Sequence, residues 1–180
     1  MRVHTAIIAA VVMAGCFAAA HAQTPPATTP DVVPEAMPFD IPYGTPITLE
    51  QAQSVIAAAA AEAKKHNWKM SISVVDPAGF LVAHATMDGT QYGSTEVSQA
   101  KARTSALYRR PSGVFQTAVN TGGAPSALSI LVLTHAVASE GGFPIVVDGK
   151  LIGAIGVSGA KPSEDGQVAQ AGLAALTAKP

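Results

Sequence analysis

The stretch from Gly141 to Ala160, Gly-Gly-Phe-Pro-Ile-Val-Val-Asp-Gly-Lys-Leu-Ile-Gly-Ala-Ile-Gly-Val-Ser-Gly-Ala, does most to limit what this chain can fold into. Two runs rich in β-forming residues flank Asp148-Gly149. That dipeptide accepts positive φ at both central positions of a type I′ turn, so the runs are expected to fold back as a tight hairpin. Gly141 and Gly142 lead into the first strand, Gly153 and Gly156 lie within the second, and Gly159 leaves it. Glycines in strands mark bulges or close approach by a ligand or another backbone; the bland alternative is that they only shape a twisted sheet. The two ends of the hairpin, Gly141-Gly142 and Ser158-Gly159, are therefore candidate walls of a ligand site.

Upstream, Thr48-Leu-Glu-Gln51 is a capping box, and Leu49, Ala52, Val55, Ile56, Ala59, Ala60 and Ala63 follow at three- and four-residue spacing. This predicts a helix ending near His66-Asn67. Met70 to Val75 and Phe80 to Met87 read as strands joined by the turn sequence Asp76-Pro77-Ala78-Gly79, a first hairpin. Ser94 or Thr95 is expected to cap a second helix with the apolar stripe Val97, Ala100, Thr104, Leu107 and Tyr108, closed by Pro111. A short helix over 112–120 and a loop from Thr121 to Pro125 follow. Leu128 to Val137 fits strand or helix equally. Ser163 is expected to cap a last helix, with Glu164 and Asp165 in its first turn and Val168, Ala171, Gly172, Ala175 and Leu176 on its buried face. This order gives an α+β domain: a central, mostly antiparallel sheet built from two hairpins, with helices packed on it.

The ends read differently. Met1 to Ala22 has Arg2, an apolar run from Ala6 to Ala20 and the small-x-small sequence Ala20-His21-Ala22, which predicts a signal peptide cleaved after Ala22. A lipoprotein-type site at Met13-Ala14-Gly15-Cys16 is the alternative. Both readings predict export, to the periplasm or beyond. The apolar run is too short for a membrane span. Residues 23–45 are Pro-rich and read as a linker or arm, in whose second half Met37, Phe39, Ile41 and Tyr43 alternate. A single domain is expected over 46–176, with a short tail at 177–180.

Cys16 is the only cysteine, so the cleaved chain would have no thiol for a disulfide, a thiolate metal site or a cysteine nucleophile. Loss of Arg2 would leave ten basic against twelve acidic residues, a net charge of −2 with histidine neutral. That balance offers no basic patch for nucleic acid. Charged residues make up only 13% of the chain and apolar ones 48%, which points to surface buried by self-association, a homo-oligomer.

No catalytic motif stands out: there is no G-x-S-x-G elbow, phosphate-cradling loop, H-E-x-x-H pair or dinucleotide fingerprint. Whether the chain catalyses a reaction stays open. His84, in Phe80-Leu-Val-Ala-His-Ala-Thr-Met87, is placed by strand alternation with Phe80, Val82 and Thr86. An imidazole among apolar side chains suits haem iron or proton exchange with a substrate; a structural hydrogen bond at a sheet surface is the alternative. Lys101, Arg103, Arg109 and Arg110 are the one basic concentration, and Lys101 or Arg109 is a candidate to hold a carboxylate or haem propionate. A rival reading makes the chain a binder or enzyme for a small hydroxy- or oxo-acid, held by the same cations and by backbone N–H groups at Gly141, Gly142, Ser158 and Gly159.

Thr48-Leu-Glu-Gln-Ala-Gln, Ser73-Val-Val-Asp-Pro-Ala-Gly-Phe-Leu-Val-Ala-His, Met87-Asp-Gly, Lys101-Ala-Arg-Thr-Ser-Ala and the hairpin from Gly141 to Ala160 together resemble the GlcG/HbpS family of haem-binding proteins, related to the C-terminal domain of PduO-type proteins. The resemblance spans roughly Pro46 to Leu176. It implies a profilin-like α+β sandwich, a haem cofactor in storage, sensing or slow degradation, and assembly into dimers or larger oligomers. The family often has arginine where this chain has Thr86, and Gly-Gly where it has Gly159-Ala160. Its iron ligand varies among members, so the assignment of His84 as metal ligand rests on the chemistry of this chain.

Overall fold

A computed structural model describes residues 40–121, 130 and 132–177. The leader, most of the Pro-rich arm, the loop after Thr121 and the last three residues lie outside the described residues, as do Leu128, Ser129 and Leu131 of the ambiguous run.

Helix α1 (Leu49–Lys65) opens with the expected capping box: Gln51 N–H donates to Thr48 Oγ1 at 3.2 Å and Thr48 N–H donates to Gln51 Oε1 at 3.0 Å. Strands β1 (Ser71–Val75) and β2 (Leu81–Thr86) form the first hairpin. Helices α2 (Gly93–Tyr108) and α3 (Gly113–Thr121) follow, then β3 (Gly142–Val147), β4 (Lys150–Ser158) and α4 (Pro162–Thr177). At the β3–β4 turn Asp148 has φ 48° and Gly149 φ 72°, both positive as the type I′ turn requires. The four strands are antiparallel in the order β2-β1-β4-β3, so the two hairpins meet through β1 and β4. The α2–α3 segment carries the chain from one edge of the sheet to the other.

One face of the sheet is apolar. Ile72, Val74, Ile145, Ile155 and Val157 pack there against Ala52, Val55, Ile56 and Ala59 of α1 and Val168 and Ala169 of α4. Burying such side chains contributes about 1.5–3 kcal/mol each. The arm reaches this domain: Leu151 N–H donates to Pro42 O and Gly44 N–H to Leu151 O, each at 2.8 Å, so residues 42–44 line the side of β4 that β1 leaves free.

Two local expectations are corrected and one open reading is narrowed. Neither Ser94 nor Thr95 caps α2, which begins a residue earlier after Tyr92, with no side-chain cap; Thr95 Oγ1 lies 3.3 Å from Thr86 Oγ1 and Ser94 is buried against the sheet. Helix α4 starts at Pro162, suited to a first helical position by its fixed φ and missing N–H. The return bond comes from Lys161 N–H to Glu164 Oε2 rather than from Ser163. Finally, the run to Val137 is open between strand and helix by sequence; of its described residues Ile130 is helical, 132–135 form turns and bends with His135 at φ 61°, and none is strand.

Candidate functional site

The second face of the sheet is unlike the first. Its β1 residues are Ser71, Ser73 and Val75, and α2 lies on it. Of the expected stripe of α2 only Thr104 is buried: Val97 stays exposed and Ala100, Leu107 and Tyr108 half-exposed, while the side on the sheet is made by the buried Ser94, Ser98, Lys101, Ala102, Ser105 and Ala106. These recur at i, i+4, i+7, i+8, i+11 and i+12, a helical face made of small and hydroxyl side chains plus one lysine.

The glycines of the second hairpin explain that composition. A Cβ on Gly156 would strike Ser98 O and come within 2.5 Å of Ala102 N; one on Gly142 would strike Lys101 O. Close approach by another backbone is therefore what these positions serve. The strand pairing sets His84, Ser73, Gly156 and Gly142 in one row across the sheet. With no side chains on two members of the row, α2 sits low enough for Ser98 Oγ to reach Ser73 Oγ at 2.8 Å. Ser73 Oγ in turn lies 2.9 Å from His84 Nδ1, and His84 Nε2 lies 2.8 Å from Thr86 Oγ1.

The direction of this chain follows from its far end. Ser98 Oγ–H donates to the Thr95 carbonyl at 2.9 Å, so Ser98 accepts from Ser73, and Ser73 accepts from His84 Nδ1–H. The network thus assigns the Nδ1–H tautomer and leaves the Nε2 lone pair pointing at the Thr86 hydroxyl. Burial pushes the His84 imidazole below its ordinary pKa, which keeps the ring neutral near pH 7. Thr86 has other partners for its hydroxyl, Ser71 Oγ at 3.0 Å and Thr95 Oγ1 at 3.3 Å. Strand β2 is an edge strand, and His84 is half-buried on it.

The neighbours of His84 differ from strict alternation. Val74 pairs with Ala83 but Val75 with Leu81, so one extra residue, Val82, bulges out of register. Leu81, not Val82, shares the α2-facing side with His84 and Thr86, and Val82 packs with the apolar core. Leu81 and Phe80 are both exposed.

The remaining site candidates are placed elsewhere. Lys101 is buried, its Nζ 2.7 Å from Asp165 Oδ2, and its charge is answered inside the domain rather than offered to a ligand. Arg109, at φ 52°, holds Asp40 at 3.0 Å and the Ile41 carbonyl at 3.2 Å and lies over the Tyr43 ring. Gly141 and Gly142 are closed off by protein: a Cβ on Gly141 would come within 2.8 Å of Asp165 Cβ and 3.0 Å of Lys101 Nζ, and Gly142 N–H donates to Ser112 Oγ. Gly159 packs on Lys69 and Met70, and Ser158 is buried beside Ser94. The walls imagined for a small acid are thus interior contacts. Ser73, Ser98 and Asp165 were not singled out by sequence reasoning, although the alternating serines of Ser71-Ile-Ser73 and the four-residue step from Ser94 to Ser98 carry the signal. Among the described residues no group of three acidic, histidine or cysteine side chains is arranged to hold a bare metal ion. No described helix is long and apolar enough to cross a membrane.

An α+β domain of this topology, with one apolar face, one glycine- and hydroxyl-lined face and a neutral histidine at its open edge, has close relatives. Residues 47–174 match the family model described as haem degrading protein HbpS-like, and the chain belongs to that family. It is 42% identical over 112 residues to Protein GlcG of Escherichia coli strain K12, covering 62% of this chain and 81% of that protein. Among solved structures it is similar to a double mutant of Streptomyces reticuli HbpS, with a TM-score of 0.68, 28% identity and coverage of 82% of this chain and 99% of that one. It is also similar to PduOC in a complex with haem, with a TM-score of 0.66, 25% identity and coverage of 73% and 95%.

Proposed function

We propose that this protein binds haem at the open edge formed by β2 and α2, with His84 as the ligand to iron. The observation that carries the reading is the directed chain from Ser98 through Ser73 to His84 Nδ1. A metal-ligating histidine characteristically donates its second ring N–H to a fixed acceptor, which sets the tautomer and raises the basicity of the other nitrogen. Here Ser73 is that acceptor, so Nε2 keeps its lone pair, and depression of the pKa keeps a proton off it. For iron to reach Nε2, Thr86 Oγ1, 2.8 Å away on the lone-pair side, would have to swing aside by rotation about χ1. Exposed Leu81, on the same side of β2 as the histidine, offers apolar contact to a flat macrocycle. Bound haem would supply redox and oxygen chemistry; the chain supplies orientation, a neutral donor and a partly dry edge.

Membership of the HbpS-like family and the likeness to a haem complex support the same reading. Within it we place the protein outside the cytoplasm, on the strength of Arg2, the apolar run and Ala20-His21-Ala22, acting in haem storage, sensing or slow degradation. Self-association belongs to the proposal on the low charge content. The test is a hemin titration followed by the Soret band. The wild type is expected to give a saturable shift, and Ser73→Ala to bind about 10–100-fold more weakly through loss of the orienting acceptor. Absence of a shift in the wild type overturns the haem reading; equal affinity in Ser73→Ala overturns the ligand assignment.

A further inference from the structure

We infer that a second recognition site lies beside the first hairpin turn, built around Arg103, and takes the carboxylate of a planar, largely apolar acid. A cleft of about 460 Å³ is lined there by Ala78, Gly79, Phe80, Leu107, Arg103 and His135. A shallower hollow of about 330 Å³ shares Ala78 and Leu107 and continues the apolar wall to Pro77 and Tyr43. Phe80, 70% exposed, supplies an aromatic face that no core contact occupies.

Arg103 is the group that decides the chemistry. Its Nε–H donates to the Gly79 carbonyl at 3.1 Å, which fixes the plane of the guanidinium. Among the described residues that is its one polar contact, and no carboxylate pairs with it. The other cations near this helix are committed: Lys101 to Asp165, and Arg109 to Asp40. Asp76, the acidic residue of the adjoining turn, spends its Oδ1 on the N–H groups of Ala78 and Phe80. A half-buried guanidinium anchored through Nε presents the rest of its planar fork, the part that matches a carboxylate with two parallel hydrogen bonds. An apolar wall beside such a fork selects a flat ligand body over a small hydrophilic anion.

The opposite wall is fixed as well. Thr104 Oγ1 donates to the His135 carbonyl at 2.8 Å and accepts from Val137 N–H at 2.9 Å, and Tyr108 Oη donates to the Thr134 carbonyl at 2.7 Å. These bonds tie residues 134–137 to α2 and hold His135 in its left-handed conformation at the rim. Arg103 and Leu107, backed by the buried Thr104 and its bonds to 135–137, thus make this side of α2 a built surface rather than solvated charge.

The site does not depend on His84 or on iron. A free aromatic acid and the propionate edge of a porphyrin share the required chemistry, and the test separates them with metal-free probes. Calorimetric titrations would use 2-naphthoate, its neutral counterpart 2-naphthalenemethanol, protoporphyrin IX and protoporphyrin IX dimethyl ester. Saturable 2-naphthoate binding, lost with the alcohol and weakened about 10–100-fold in Arg103→Met, supports the site with a small acid as occupant. Binding of protoporphyrin IX but not its ester, with the same dependence on Arg103 and none of 2-naphthoate, supports it with a porphyrin edge as occupant. Arg103→Lys keeps the charge without the fork and is expected to fall between; it carries the comparison should Arg103→Met fold poorly. If neither acid binds, or if affinity is unchanged in Arg103→Met or equals the wild type in Arg103→Lys, the site is refuted.

Discussion

Replacing Lys101 with methionine perturbs the most deeply buried charge of the domain. The Lys101 and Asp165 side chains are 2% and 3% exposed and meet at 2.7 Å, joining α2 to α4 past the glycine at 141. Burial pushes the Asp165 carboxyl above its ordinary pKa, opposed by the hydrogen bond and charge of Lys101 and by the Ala160 N–H. Lys101→Met removes the lysine's share of that opposition, leaving only the Ala160 N–H, and keeps the burial. Removing one partner of a buried pair costs about 3–5 kcal/mol. For a domain of this size that lowers Tm by roughly 10–20 °C. The sign of the pH dependence is fixed by linkage. A carboxyl whose folded pKa is raised binds more protons folded than unfolded, so its contribution to stability falls as pH rises from the ordinary carboxylate value through the raised one, and is regained on acidification. The variant's deficit is therefore expected to be smaller at pH 5 than at pH 8, and little changed by salt because the pair is buried. Thermal unfolding by circular dichroism at both pH values measures this. A Tm loss under about 3 °C, or a deficit that grows on acidification, would refute the reasoning.

Two further outcomes follow from the packing. Gly156→Ala is expected to lose about 1–3 kcal/mol in urea unfolding, because the new methyl meets the α2 backbone at Ser98 and Ala102, whereas Gly93→Ala, with open space at its Cβ, changes little. Glu62, which accepts from Lys65, Gln167 and His66 and so clips α1 to α4, has its pKa lowered to about 2, and its contribution is present above about 4.5 and lost as pH falls toward 2. A carboxyl NMR titration should find that low midpoint, and Gln167→Ala should raise it.

Much of the fold was legible because its signals are local. Thr48-Leu-Glu-Gln51 caps its own helix, and Asp148-Gly149 makes its own turn, whatever the rest of the chain does. The buried face of α2 was not legible by hydrophobicity, since what decides it is thickness: Ser98 and Ala102 are small enough to sit on Gly156, and Val97 and Leu107 are left outside. The neighbours of His84 were misassigned by one residue for a similar reason, because the bulge at Val82 has no marker such as glycine in this sequence. Lys101 looked like a surface cation because its partner Asp165 lies 64 positions away, and helix-end chemistry already accounted for that aspartate. His84 itself was found from its residue type and strand, but the serines that orient it belong to two other elements and only the strand register brings them together.

The central claim, that His84 Nε2 is the donor to haem iron, is tested most directly by His84→Gly with hemin and added imidazole. The account predicts that the variant loses the Soret shift of the wild type and that millimolar imidazole, entering the space left by the side chain, restores it. A wild-type spectrum in His84→Gly without imidazole would contradict it.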